Sequence, residues 1–392
     1  MKIAIIGGGI VGLSIGYKLQ LIKGNKVTLF EKEQEVGLHQ SGRNSGVLHC
    51  GLAYKPGSLK AKLAVNGIKQ MISFCKKNNI NHEICGKIVV AQNDLEIKNL
   101  DNVFKRGKKN GLNGLKFLSN SELKIREPYV SAKKSLLVPE EGIVDYKGVM
   151  KCLENQIKEY GGSIKLSSNI KKIQNRINKI HINNVDDEFD LLINCSGLQA
   201  DITFKNLTKE KRPLKIVPFR GEYYKLTESA KKLVNHLIYP VGNPKFPFLG
   251  VHFTKMINGD REVGPNAVLS LKREGYSNTD ISISEMYDYI TYPGFLKFIG
   301  KNFLFCMNEF STSLLKSSFL NKAKILIPEL RSEDIYSGPA GVRAQAIKYN
   351  GELHMDFEVI RKNNQIHLLN TPSPAATASL SIADYIIENY IT

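Results

Sequence analysis

With 392 residues the chain holds about two to three domains' worth of core, and an apolar share of 42% is ordinary for a folded globular protein. The formal charge of +18 is high, but the lysines are scattered among Asn and Ile with no dense basic run interleaved with aromatics. That argues against a nucleic-acid face and leaves weak attraction to an anionic membrane surface. No stretch reaches the roughly 18 to 20 uninterrupted apolar residues that span a bilayer. The run over 3–17 has a single preceding lysine, five glycines and no cleavage pattern, so it is not read as a secretory signal. A cytoplasmic protein is expected, with peripheral contact on the inner face of a membrane as the alternative. Six scattered cysteines lack CxxC or metal-ligand spacing, so no metal site is expected.

The first unit is an apolar strand over 3–6 that runs into Gly7, Gly9 and Gly12 at GxGxxG spacing, followed by a helical pattern to about Gln20. Gly7 permits a tight turn, Gly9 lets backbone approach a pyrophosphate, and Gly12 lets helix and sheet pack closely. The helix N-terminus then faces the phosphates. A second apolar run over 27–30 ends at Glu31, nineteen residues after Gly12, where a carboxylate accepts hydrogen bonds from both ribose hydroxyls; Lys32 follows it. Together these features specify a dinucleotide site, against the alternative of a glycine-rich turn that only packs.

A helical period over 56–78 follows, then a short strand over 86–92, a charged amphipathic helix over 95–109, a strand over 115–118 and a short helix over 121–126 stopped by Pro128. From Asp145 a βα rhythm returns, with a helix over 147–160, strands over 163–166 and 179–182, and an apolar strand over 190–195 that enters Ser196 and Gly197. Residues 206–330 read as a substrate layer, with strands over 215–217, 222–226 and 248–254 and helices over 283–290 and 312–326. The final segment holds GPAGVRAQA (338–346), a strand over 366–369, the loop NTPSPAAT (370–377) and an amphipathic helix to about Tyr390. That helix is expected to begin beside Ser373 and Pro374, with its amides aimed at an electron-rich group. The pattern predicts an α/β chain. A Rossmann-like nucleotide-binding domain from 1–80, 143–205 and 335–392 interleaves with a mixed-sheet α+β substrate domain from 81–142 and 206–334.

Several strings carry a resemblance to one family: HQSGRNSGVLHCGLAYKPGSLKAKL (39–63), GIVDYKGV (142–149), IVPFRGEYYKL (216–226), IYPVGNPKFPFLGVHFT (238–254), GPNAVLSLKREGY (264–276), GPAGVRAQA (338–346) and PSPAAT (372–377). They look like FAD-dependent oxidoreductases of the D-amino-acid-oxidase type, and within these the L-2-hydroxyglutarate oxidase/dehydrogenase group, across almost the whole chain. The resemblance implies FAD held by Gly7, Gly9, Gly12, Glu31 and Lys32, with Arg43, Asn44, Ser45 and Gly46 along the pyrophosphate and ring. It places Gly197, Asp201 and Gly341 on the same cofactor, and Pro374, Ala375 and Ala376 near the flavin pyrimidine carbonyl. It further implies oxidation of L-2-hydroxyglutarate to 2-oxoglutarate by hydride transfer to flavin N5, with electrons passed on to a quinone or dioxygen.

Such a substrate needs an anion clamp and a base. Arg343 is the first choice for the clamp, because a planar guanidinium binds a carboxylate in two places. Its GVR resembles the GxR element of amino-acid oxidases, although Ala344 stands where those usually carry proline. Arg220 and Lys272 are weaker candidates for the distal carboxylate; the alternative is a surface salt bridge for Lys272 and a structural ion pair for Arg343. His49 and His252 are the candidate bases, since histidine titrates near neutral pH; each is otherwise a hydrogen-bonded structural residue. His49 is alternatively a point of covalent flavin attachment. Of Tyr223 and Tyr224, alternating on one strand, one should face the site and the other should pack. The rivals are an amino-acid or amine oxidase of the same fold, a flavoprotein acting as a membrane- or RNA-binding module, and an NAD-dependent dehydrogenase.

Overall fold

The computed structural model describes residues 1–176, 179–182, 187–242 and 250–391. The first apolar runs become the strands Lys2–Ile6 and Lys26–Phe30, paired in parallel from Ile3↔Val27 to Ile6↔Phe30. Ile3, Ile5, Val27 and Leu29 are fully buried, and each such side chain contributes about 1.5–3 kcal/mol over exposure. Among the described residues this sheet has six strands in the order Glu358–Lys362, Gln365–Asn370, Leu191–Asn194, Lys2–Ile6, Lys26–Phe30, Ser163–Lys165. The Glu358–Lys362 strand runs antiparallel to its neighbour, and the other pairings are parallel. Lys2–Ile6 therefore has the next strand of the chain on one side and Leu191–Asn194 on the other, the switch point at which an open α/β sheet leaves a crevice beyond its carboxyl ends.

The helix Ile10–Gln20 seats against this sheet because of Gly12: a Cβ there would fall 2.1 Å from the Gly7 carbonyl oxygen. Gly7 itself has φ of +109°, and its N–H donates to Phe30 O at 2.8 Å, which fixes the turn at the sheet edge. The helices Tyr146–Glu159 and Ser379–Tyr390 pack on Ile10–Gln20.

The second sheet has nine strands among the described residues. Eight run in the order Val268–Leu269, Lys215–Leu226, Arg261–Gly264, His252–Lys255, Leu237–Pro240, Lys87–Ala91, Lys134–Val138, Lys116–Leu118, and Ile335–Ile347 pairs with Lys215–Leu226 off this path. Here the reading of local breakers needs correction. The strands expected over 215–217 and 222–226 form one twelve-residue strand through Pro218 and Gly221. The 338–346 string, expected beside the nucleotide sheet, lies in the antiparallel partner of that strand, from Lys215↔Ile347 to Leu226↔Ile335. A long ladder overrides the local preference for a turn, and a register shift between Glu222 and Tyr224 absorbs the irregularity.

Three further expectations change. The helix expected over 312–326 is split at Leu315, which is extended, between Phe303–Leu314 and Lys316–Lys324. Of the strand expected over 248–254, residues 248 and 249 lie outside the described residues and the observed strand is His252–Lys255. The last helix starts at Ser379, so a turn over 372–378, with Ala375 N–H donating to Pro372 O (3.0 Å) and Ala378 N–H to Pro374 O (2.9 Å), stands where a helix end was expected.

A buried ionic network joins the two sheets. Asp201, on the helix Ala200–Thr208 that follows Leu191–Asn194, accepts from both terminal nitrogens of the buried Arg273 (2.6 and 3.2 Å). Arg212 bridges Asp201 (3.0 Å) to Asp288 (2.7 Å) on the helix Ile283–Ile290. Lys215, at the head of the long strand, also contacts Asp288 (3.0 Å). Burial works to raise the Asp288 pKa, yet hydrogen bonds from Arg212 and Lys215 hold it well below the usual carboxylate range.

Candidate active site

The two sheets enclose a cavity of about 640 Å³ at the switch point, within the range of small-molecule and cofactor sites. Gly7, Gly9 and the first residues of Ile10–Gln20 form its floor. Gly9 is the N-cap and supplies no side-chain cap; Ile10 N–H donates to Ser41 Oγ at 3.0 Å. Beyond that one bond, the first-turn N–H groups of a helix with no side-chain cap at Gly9 suit an anion. Glu31 lines the cavity and is buried; its Oε2 accepts Gly8 N–H (2.6 Å) and its Oε1 accepts Glu33 N–H (3.0 Å). Lys32 also lines it, held by Glu33 and Glu274 at 2.6 Å each. Gly12 stands behind the floor, where it serves packing.

A contact missed by sequence reasoning closes this end. His39 Nδ1 lies 2.6 Å from Tyr276 Oη and Nε2 lies 2.9 Å from Glu33, while the Arg43 guanidinium stacks 3.9 Å over the Tyr276 ring. With the Lys32–Glu274 pair, the segment 274–276 from the second sheet's side is strapped across the first βαβ unit. Its residues sit in the GPNAVLSLKREGY string, but nothing local in that string names a partner more than two hundred residues away.

Arg43, Asn44 and Ser45 line the next stretch. The Asn44 side chain holds the loop, donating to Ser41 O (2.7 Å) and accepting Gly46 N–H (2.9 Å). Gly46 itself (φ +67°) turns behind the wall, where a Cβ would meet Val144 O at 3.2 Å. Gly197, Gly341, Pro374, Ala375 and Ala376 all line the cavity. Gly341 faces Gly221 in register, so this part of the wall is bare backbone, and a Cβ on Gly341 would lie 2.4 Å from Arg43 O. Asp201 does not line the cavity. Two arginines already saturate it, and its place is in the inter-sheet network.

Strand alternation sorts the remaining candidates. Gly221 and Tyr223 face the cavity, whereas Arg220 and Tyr224 face away. Arg220, expected near the distal carboxylate, is buried against Glu222 (2.9 Å), Ser277 O (2.6 Å) and Asn278. Tyr224 packs its ring 4.6 Å from Phe319. Lys272 is exposed and off the cavity. Arg343 lines the cavity from Ile335–Ile347 and hydrogen-bonds the Tyr223 hydroxyl; burial pushes that phenol up to about 12 against the pull of Arg343.

Both histidines line the same end. His252 is buried, its ring tilted on Tyr239 at 4.0 Å and its Nδ1 2.9 Å from Gly250 O. A carbonyl only accepts, so Nδ1 carries the proton and Nε2 is the acceptor. His49 follows the short strand Val47–Leu48, with its backbone N–H on Thr377 Oγ1 (3.1 Å) and its Nδ1 3.3 Å from Glu141 Oε2. Glu141 and its partner Lys87, at 2.6 Å, are both buried. Neither figured in the sequence reading.

A model of the family described as FAD dependent oxidoreductase matches residues 2–389. The chain is 45% identical over 390 residues to the L-2-hydroxyglutarate dehydrogenase of Indibacter alkaliphilus, covering 99% of this chain and 98% of that protein. It is 40% identical over 404 residues to the mitochondrial L-2-hydroxyglutarate dehydrogenase of Caenorhabditis briggsae, covering 100% and 93%. Among solved structures it resembles the dithionite-reduced L-alpha-glycerophosphate oxidase of Mycoplasma pneumoniae with FAD bound, at a TM-score of 0.80 and 23% identity over 99% of this chain and 94% of that one. At that identity the likeness is one of fold.

The setting of His252 predicts a pH signature. Burial, with Arg343, His49 and Lys87 adding to it against the Gly250 hydrogen bond, lowers its pKa from 6.5 to about 3. A pKa depressed by folding stabilises the protein above the unfolded value and loses that contribution as pH falls toward the folded one. Between neutrality and about pH 5 the loss from this one group is about 2 kcal/mol. In urea titrations at the two pH values, His252→Asn should lose correspondingly less stability than the parent. An equal loss in both proteins would show that His252 is not held neutral.

Proposed function

Because the chain belongs to the FAD dependent oxidoreductase family, we propose that it oxidises L-2-hydroxyglutarate to 2-oxoglutarate by hydride transfer to flavin N5. The names of the two L-2-hydroxyglutarate dehydrogenase relatives support the substrate, and the convergence of Arg343, Tyr223, His49 and His252 on one end of the cavity carries the reading. The residues fit FAD. The glycine floor, the open helix N-terminus and the buried Glu31 suit a pyrophosphate and ribose, and the bare Gly221–Gly341 wall admits a flat ring. When bound, FAD supplies the two-electron acceptor. Arg343, oriented by Tyr223, binds the carboxylate next to the reacting carbon through its fork of donors.

His49 takes the hydroxyl proton as the C–H bond gives up hydride and the C–O bond becomes a carbonyl. The support for His49 over His252 is electrostatic. Protonating His252 places a charge in a buried site beside Arg343 and Lys87, which makes it a poor base, whereas His49 meets a carboxylate. His252 then remains neutral.

Electrons leave to a quinone or dioxygen. A quinone in an anionic membrane is favoured by exposed apolar residues on three successive helices. Ile283, Tyr287 and Ile290 are exposed at i, i+4, i+7 spacing on one helix face, followed by exposed Leu296, Phe303 and Met307. Between Asp288 and Glu309 the sequence carries Lys297 and Lys301 and no acid. No helix of the described residues is long and apolar enough to cross a membrane, so the contact would be peripheral.

Anaerobic mixing of the yellow protein with L-2-hydroxyglutarate should bleach the flavin absorption while the D enantiomer leaves it intact. A flavin that neither enantiomer bleaches would favour the amino-acid or amine oxidase reading. Arg343→Lys keeps the charge but loses the bidentate fork, and should weaken apparent substrate binding by about 1.5–3 kcal/mol; unchanged kinetics would remove Arg343 from the clamp. In co-sedimentation, phosphatidylglycerol vesicles should retain the protein at low salt and phosphatidylcholine vesicles should not. Equal retention, or none, would count against the membrane surface.

A further inference from the structure

We infer that Glu141 is a positioning residue, which fixes His49 as the Nδ1–H tautomer with Nε2 as the acceptor, and that Lys87 tunes how strongly it does so. The inference rests on the reading of His49 as the base.

The geometry is that of a closed relay behind the cavity wall. Glu141 Oε2 takes both His49 Nδ1–H (3.3 Å) and Lys87 Nζ (2.6 Å), while Oε1 takes Cys50 N–H and Cys50 Sγ–H, each at 3.4 Å. The Glu141 and Lys87 side chains are 2% and 7% exposed. Their backbones hold them there: Gly86 N–H donates to Glu141 O at 2.8 Å, one residue before Lys87 begins its strand. Burial works to raise the Glu141 pKa, but Lys87 and His49 bring it to about 2, so the carboxylate stays ionised at working pH.

Stability alone does not account for this arrangement. Desolvating two charges costs several kcal/mol per ion, and an apolar pair of similar volume is often as good or better. The ion pair instead stands directly behind a histidine that faces the cavity. A carboxylate on Nδ1 holds the ring in the tautomer whose Nε2 accepts a proton, and it offsets the positive charge that then forms. Lys87, sharing the same oxygen, partly cancels that effect.

The other groups around His49 do not supply this charge. Tyr239 meets it edge-on at 6.5 Å, under Lys87 Nζ at 4.9 Å from the ring, and burial raises that phenol far above its ordinary range. Burial does the same to Tyr54 and to the Cys50 thiol. His252 stacks on Tyr239 and stays neutral, with the Arg343 charge acting on it. Thr377 Oγ1 accepts the His49 backbone N–H and carries no charge.

The test uses the sign of two opposite changes in the FAD-loaded enzyme. Glu141→Gln removes the anion and leaves Lys87, so the His49 ring, followed by NMR and assigned by its loss in His49→Gln, should titrate about 1–3 pH units lower. Lys87→Met leaves Glu141 alone with His49 and should raise the same midpoint. The acid limb of kcat/KM should move with each. In Glu141→Gln, kcat should fall about 100-fold or more with KM nearly unchanged. The double variant Glu141→Gln/Lys87→Met buries no unpaired charge, so it guards against misfolding of the single variants; its midpoint should fall between theirs. Midpoints that do not move, or that move in the same direction, would overturn the inference. Flavin reduction at the parental rate in His49→Gln would instead remove His49 as base, leaving the ring titration to report separately on Glu141 and Lys87.

Discussion

The cavity lies between two sheets of different construction principle, and the buried contact of Asp201 with Arg273 and Arg212 ties the two together, alongside the Lys32–Glu274 and His39–Tyr276 contacts. Removing one partner of a fully buried pair costs about 3–5 kcal/mol, because the other charge is left unpaired. That is a large part of the roughly 5–15 kcal/mol by which a domain is stable. Because the network also reaches Asp288 and the first residue of the long strand, it sets where Gly221 and Tyr223 stand relative to the glycine turn.

Inside this frame the same residue type is given opposite character by its surroundings. His49 and His252 share one end of the cavity, yet one ring meets a carboxylate and the other is shut away from solvent, with Arg343 and Lys87 adding their charge to the effect of burial. The two arginines tell the same story. Arg343 reaches the cavity with a tyrosine partner, whereas Arg220 is consumed by Glu222 and two oxygen acceptors of the 277–278 turn. Environments that push like groups apart are how a fold assigns acid, base and clamp from a small set of side chains.

What was legible in the sequence was local. The glycine turn, the acid that ends the second strand and the helices with clear apolar periodicity depend on neighbours within about one βαβ unit, and the spacing of residues carries that information. The family resemblance extended this to the loops that line the cavity. Glu141, Lys87, Glu274 and Tyr276 escaped because each is defined by a partner distant in the chain: His49 and Glu141 are separated by 92 positions, His39 and Tyr276 by 237. No periodicity records such a pairing. Arg220 was misplaced for a subtler reason, since the side of a strand is decided by its ladder and by the register shift near Glu222. Gly338, Pro339 and Gly341 are local strand breakers, and only the ladder to the twelve-residue strand Lys215–Leu226 draws them into the strand Ile335–Ile347.

The cavity lining runs from Ile6 to Thr377, and a single hydroxyl, Thr377 Oγ1, receives the amide of His49 across 328 positions. No contiguous fragment of the chain therefore contains the site. During synthesis the glycine turn emerges long before the 371–377 loop that completes the wall. Until then that side of the wall is open, and closure of so non-local a site is slow compared with forming its helices. Binding competence thus arrives in one late step of assembly, and a chain interrupted before residue 371 would carry most of the nucleotide sheet with one side of its binding crevice missing.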